Sequence, residues 1–331
     1  MMTILVKSVM AVFAGFVLSL IFGFFLIPFL RKKHAAQCLS VYLERAHKSK
    51  VGTPTMGGFI FILPTLLITL FLILTGKMEV TYSLIIIIFT FLCYFMIGFI
   101  DDYLIIKKHN NKGLSKKQKF LMQLFVAVLF FYLFMLGDNE PLLWIHSLHF
   151  KVDIGFLYGI FILFVLVASS NAVNITDGLN GLAGGLCAIA FFTFGVISWN
   201  TGWLLGYEDI AVFSFILVGS LLGFLLFNTG RALVFMGDTG SLCLGATLGA
   251  YAIITRHEVL LVLIGIVFVL ETLSCIIQII YFKITRKRLF LMTPIHHTFE
   301  KKGMAEGDIV KLFWTIGLIG SMFALIYGVL L

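Results

Sequence analysis

SLCLGATLGAYAII, Ser241–Ile254, is the stretch on which the topology turns. As a helix it measures about 21 Å, against a hydrocarbon layer of roughly 30 Å. Hydropathy alone does not make it a crossing. If it does cross, everything after it changes sides, so the rest of the chain must decide.

The chain has 331 residues, 60% hydrophobic and 12% charged, with a mean hydropathy of +1.08. Thirty-six phenylalanines against sixteen acids leave too little polar surface to coat a water-exposed domain of this length. The composition predicts an all-α polytopic membrane protein, a single integral membrane domain over 1–331. Apolar runs at Val9–Leu30, Gly58–Thr75, Val80–Ile100, Phe120–Leu136, Ile154–Ser170, Gly181–Ser198, Ile210–Phe227, Val259–Phe282 and Ile309–Leu331 join Ser241–Ile254 to give about ten transmembrane helices. The net charge of +8 then reads as membrane topology, with the membrane as partner and no nucleic acid. The five cysteines show no C-x-x-C spacing and read as small apolar residues within spans.

Charge settles the short segment. With ten spans, one side carries loops 31–57, 101–119, 171–180, 228–240 and 283–308, which hold nineteen of the twenty-four arginines and lysines. Removing the span would send Lys283, Arg286, Lys287, Arg288, Lys301 and Lys302 to the far side, against the positive-inside rule. The five loops therefore face the cytoplasm and both termini face out. Lys7 before the first apolar run and Arg31-Lys32-Lys33 after it are the reverse of a cleavable signal, so the first helix reads as a permanent span. Trp144, Trp199 and Trp203 fall near outer span ends, and the outer acids, Glu258 among them, read as scattered and solvated.

Five polar clusters map to the cytoplasmic side and form the expected active site: KVGTPTMGG (50–58), FIDDYLIIKKHNNKGLSKKQK (99–119), NAVNITDGLNGLAGG (171–185), FNTGRALVFMGDTGSLCLG (227–245) and MTPIHHTFEKKG (292–303). Asp101 and Asp102 end an apolar helix, where the helix dipole disfavours carboxylates, so a compensating positive partner is expected. Adjacent helical residues point about 100° apart, so the two need not chelate one ion. Asp177 and Asp238 sit in glycine-flanked turns, where turn chemistry alone would also suffice. Four acids on one face nevertheless suit Mg²⁺ carried in on a substrate phosphate. Glycine-rich turns at helix starts make anion cradles, with Lys50, Lys107, Lys112, Lys116 and Lys117 around them; positive-inside topology accounts for most of these lysines equally well. His296-His297 are badly spaced for zinc and better suited to phosphate hydrogen bonding or proton transfer. Glu271 is the one acid deep in a span, open to a functional role or to a packing hydrogen bond with Gln278.

Together and in this order, TPTMGG, DD, NAVNITDGLNGLA, FMGDTGSL and PIHHTFE resemble the polyprenyl-phosphate N-acetylhexosamine-1-phosphate transferases, and within them the phospho-N-acetylmuramoyl-pentapeptide branch. The resemblance covers the whole chain. It implies that undecaprenyl phosphate attacks the β-phosphorus of UDP-MurNAc-pentapeptide, with Mg²⁺ as cofactor, giving lipid I and UMP for peptidoglycan synthesis at the bacterial cytoplasmic membrane. It further implies a homodimer.

By motif position it implies Asp238 as main metal ligand with Asp177 beside it. Asp102 would deprotonate or orient the lipid phosphate, and Asp101 would support the metal or the lysines. Asn171, Asn174, Lys50, Thr55, Lys117 and Ser241 would line the diphosphate cleft. Gly178, Leu179, Asn180, Asn228 and Phe235 would form the uridine pocket, with Phe235 stacking on the base. His296 and His297, with Gln278 nearby, would stand at the sugar-phosphate end. Two residues depart from the family pattern: Asn180 stands where a second aspartate is common, and Thr298 replaces a third histidine. The rival readings are a transferase for another UDP-sugar such as UDP-GlcNAc, and a secondary transporter. A transporter would place ionisable groups near the midplane in repeated halves, and here only Glu271 lies deep.

Overall fold

A computed structural model describes residues 4–33, 52–108, 113–137, 139–145, 150–200 and 206–330. Within them every apolar run is helical, as it must be where no water can satisfy a backbone amide. The helices are α1 (Ile4–Lys32), α2 (Phe59–Leu74), α3 (Tyr82–Lys108), α4 (Lys116–Leu136), α5 (Leu157–Thr176), α6 (Leu182–Asn200), α7 (Glu208–Asn228), α8 (Gly237–Ile254), α9 (Leu260–Ile264), α10 (Ile266–Thr285), α11 (Ile295–Lys301) and α12 (Glu306–Leu325). A two-stranded antiparallel hairpin, β1 (Leu142–Ile145) with β2 (Phe150–Asp153), joins α4 to α5. Eight helices are long and apolar enough to cross a membrane by length and composition, and the apolar α2 is shorter.

The doubtful segment lies at the centre. Helix α8 is buried from Thr239 to Ile254 and packs against α3 and α5, while α7 packs against α1, α2 and α6. A helix enclosed by other helices meets protein on all sides, so small residues serve it as well as large apolar ones. That is why its hydropathy was weak. The same rule brings α1 onto α7. Side chains at Gly219 and Gly223 would collide with the backbone of Val12 and Phe16, and Ser19 donates to the Ser220 carbonyl at 2.8 Å. The outer helices turn Phe13, Phe25, Phe125, Phe164 and Ile280 outward, as a lipid-facing surface requires.

Four of the differences from the expected boundaries bear on the site and its surroundings. Helix α3 continues to Lys108, so Asp101 and Asp102 lie inside it, and its end is marked by Lys107 and Lys108. Helix α5 continues to Thr176, so Asn171 and Asn174 are helical and the turn shrinks to its last residues. Helix α8 begins at Gly237, which places Asp238 in its first turn. The span expected over Val259–Phe282 is broken at Gly265 into α9 and α10.

The end of α8 away from Asp238 meets the hairpin. Arg256 donates to the carbonyls of Glu140 (2.8 Å) and Leu142 (3.1 Å), and the Tyr158 hydroxyl donates to Glu258 at 2.5 Å. Glu258, expected to be solvated, is 6% exposed, and burial pushes its carboxyl up to about 7 against the hydrogen bond from Tyr158.

Candidate active site

The first helical turn of α8 organises the site. Its leading amides have no partners within the helix, and Asp102 of α3 supplies them. One oxygen of Asp102 accepts the Asp238 N–H at 3.2 Å; the other accepts the Thr239 N–H at 3.0 Å and the Thr239 hydroxyl at 2.6 Å. A carboxylate at a helix N-terminus is favoured, and this is the compensating positive partner that Asp102 required. Gly237 makes the close approach possible: its φ is +74°, and a Cβ there would collide with Asp102 Oδ2 and Thr55 Oγ1. The strand-like segment before α2 is stitched to the same turn, with the Phe235 N–H on the Pro54 carbonyl at 2.8 Å and the Gly57 N–H on the Phe235 carbonyl at 2.7 Å.

Asp238 then points to a polar junction. One oxygen accepts from the Asn174 amide at 2.7 Å and the other from Lys119 Nζ at 2.7 Å. The Asn174 amide also donates to the Ser241 hydroxyl at 2.9 Å, and that hydroxyl donates to the Gly237 carbonyl. Lys119 reaches Asp101 as well, at 3.4 Å, while the Leu114 N–H donates to Asp101 at 2.7 Å. Two carboxylates and one ammonium therefore meet at a half-buried junction to which α3, α4, α5 and α8 contribute.

The turn Asp177–Gly181 lies alongside. Asp177 closes α5, its N–H on the Val173 carbonyl at 3.1 Å. Asn180 donates its side-chain amide to the Gly230 carbonyl and its N–H to Glu306, both at 2.7 Å. The Gly181 N–H donates to Asn228, whose amide holds the Val234 carbonyl. Leu179 is buried, and Phe235, half-buried, follows Asn228 and Gly230 on the loop that leads into α8. The Asn180 side-chain bond is thus one that an amide can donate and an ionised carboxylate cannot, whereas the backbone N–H bond would serve either residue.

Beneath the turn is the histidine helix. His296 is fully buried with Nδ1 3.1 Å from Glu271, and a side chain at Gly178 would collide with its Nε2. His297 Nδ1 lies 2.6 Å from Glu300. Thr298 donates to the Met292 carbonyl at 2.5 Å, so the residue that departs from the family run fastens the preceding loop. Glu271 meets His296 and not Gln278. Gln278 accepts from Leu289 and Phe290 and lines a groove of about 520 Å³ with Lys283, Arg288, Thr293 and Lys301.

The structure therefore unites Thr55, Asp101, Asp102, Asn174, Asp238 and Ser241 at one junction, and Gly178, Leu179, Asn180, Asn228 and His296 around the adjoining turn. Asn171 bonds back to its own helix at the Val167 carbonyl, and Lys117 is exposed. Lys50 and Lys112 lie outside the described residues. Sequence reasoning passed over Lys119 and Glu306.

Among the described residues no three of His, Cys, Asp and Glu converge as a cage. Mg²⁺ needs only one or two carboxylates when substrate phosphates complete its shell. The hard oxygens of Asp238, which share Lys119 with those of Asp101, fit such an ion.

The glycosyl transferase family 4 model matches residues 84–256. Curated relatives named phospho-N-acetylmuramoyl-pentapeptide-transferase include that of Geobacillus thermodenitrificans, 43% identical over 318 residues and 95% of each chain. That of Bacillus subtilis is 43% identical over 306 residues, 92% of this chain and 93% of its own. That of Oceanobacillus iheyensis is 40% identical over 310 residues, 93% of this chain and 94% of its own.

Proposed function

The chain belongs to glycosyl transferase family 4 and, within it, to the phospho-N-acetylmuramoyl-pentapeptide-transferases, and on that footing we propose that it moves phospho-MurNAc-pentapeptide from UDP-MurNAc-pentapeptide to undecaprenyl phosphate, leaving lipid I and UMP. It is a phosphoglycosyl transferase and a multi-pass protein of the bacterial cytoplasmic membrane. Membership in a transferase family sets the transporter reading aside. The observation that carries the proposal is the Asp101–Lys119–Asp238–Asn174 junction at the start of α8.

In this reading a lipid phosphate oxygen forms a bond to the β-phosphorus while the bond to the bridging oxygen breaks, and its electron pair leaves with UMP. The nucleophile is already an anion, so the chief obstacle is repulsion between it and the diphosphate. Lys119 lowers that repulsion, held by two carboxylates so that its ammonium stays in the pocket. Asp102, with both oxygens committed to α8, acts by fixing Asp238 in place. Asn174 orients the other face of Asp238. Asp238, together with Asp177, would hold Mg²⁺, which when bound screens the phosphates and stabilises the leaving UMP. Phe235 would stack on uracil over the Gly178–Asn180 turn. Ten crossings with both termini outside would put this junction at the cytoplasmic boundary, where a soluble nucleotide and a lipid phosphate can meet. A homodimer belongs to the same reading.

Purified protein given undecaprenyl phosphate and either UDP-MurNAc-pentapeptide or UDP-GlcNAc, with and without Mg²⁺, tests it. The expected outcome is lipid I and UMP from the first donor only, in Mg²⁺ only. Turnover of UDP-GlcNAc at the same rate would overturn the donor assignment.

A further inference from the structure

Glu271 is fully buried on α10, and so is His296, whose Nδ1 lies 3.1 Å from Glu271 Oε2. The two remaining polar atoms, Glu271 Oε1 and His296 Nε2, have no hydrogen-bond partner. A pair kept only for packing is poorly explained by this arrangement, because apolar side chains of the same volume would fill the space without stranding polar atoms. Glu271 does one specific thing: its Oε2 faces both Nδ1, at 3.1 Å, and the His296 N–H, at 3.5 Å, and so fixes the ring plane, as a carboxyl group does behind many working histidines. With the ring so fixed, Nε2 stands against the Gly178 position of the nucleotide turn, where only a residue without a side chain leaves room for it.

We propose that Glu271 is a positioning residue for the nucleotide turn, acting through His296. The inference rests on the function proposed above and adds a residue to that site. The dyad runs from the interior of α10 to the turn Asp177–Asn180, so the conformation of a surface loop is set by a group inside the helix bundle. Removing the carboxylate frees the ring, and the turn loses the support that holds it to the nucleotide. The lipid side of the junction, built on Asp101, Lys119 and Asp238, does not contact the dyad and keeps its geometry.

The test is a double-mutant cycle, read separately in KM for the nucleotide-sugar donor and for the lipid acceptor. Glu271→Ala is expected to raise the donor KM about tenfold while the acceptor KM stays within about twofold, and to add less than about twofold in a His296→Ala background. Glu271→Gln, which keeps a hydrogen-bonding group facing Nδ1 and nearly the same shape, is expected to stay within about threefold of the unaltered protein. Equal losses from Glu271→Ala with and without His296, a parallel rise in acceptor KM, or a Gln variant as impaired as Ala would each overturn the proposal. Calorimetric binding of UDP reads the same cycle without turnover. A protein that binds UDP but transfers nothing contradicts the proposed reaction alone, and the dyad is then judged on UDP affinity.

Discussion

Lys119 and Lys117 are two residues apart and behave as opposites. Lys119 is ion-paired with Asp238 and Asp101, whereas Lys117 is exposed. Lys119→Ala is expected to lower lipid I formation about 100-fold, because an ammonium facing phosphates in a half-dry pocket is lost. Lys117→Ala should stay within about twofold, as befits an exposed charge; equal effects would contradict the assignment. Asp238→Asn should reduce turnover at least about 1,000-fold, since the amide keeps the size and one of the two accepting oxygens of the carboxylate but not its charge. Retained turnover in Mg²⁺ would remove Asp238 from the metal role. The signal for Lys119 was present in the sequence: a capping box from Ser115 to Gln118 starts α4, and Lys119, Gln123, Ala127, Phe130 and Phe134 then recur at helical spacing along one inward face. The lysine count pointed to topology and concealed the one lysine on that stripe. The bonds from Asp102 to Asp238 and Thr239 had no comparable signal, because nothing local links residues 136 and 137 positions apart.

At the scale of elements, α8 explains both what was legible and what was not. Its existence followed from the arginines and lysines of other loops, while its own composition argued against it. Its start four residues early followed from tertiary contacts, with Asp102 capping it from α3. Asp102→Ala should therefore act as the loss of a cap as well as of a site residue, costing about 3 kcal/mol and lowering melting temperature and activity together. Unchanged melting would show that Asp102 does not hold α8. The far end of α8 makes a separate prediction. Glu258 keeps its proton in the folded protein up to about pH 7, above the ordinary value of 4.5. Its contribution is complete below that ordinary value and is lost as pH rises through the folded one, by about 3 kcal/mol at most. Glu258→Gln should flatten the decline in melting temperature between about pH 5 and 7.5; an unaltered slope would place the titration elsewhere.

For the molecule as a whole, the fold places chemistry at one end of a buried helix and a structural clasp at the other. The motifs in the loops were readable in order, but the order could not show that residues as distant as Asp101 and Asp238 share one lysine. If the junction faces the cytoplasm, a cysteine placed at exposed Lys117 should react with a membrane-impermeant maleimide only after cells are opened. Labelling in sealed cells would reverse the orientation. The most direct measurement follows the phosphorus itself. With donor labelled at the β-phosphate, purified protein, Mg²⁺ and undecaprenyl phosphate, the label should enter the butanol-extractable lipid one for one with UMP released. The Asp238→Asn variant should leave it in the donor. Label recovered in UDP or inorganic phosphate, or lipid labelling that persists in the variant, would contradict phosphoglycosyl transfer at this junction.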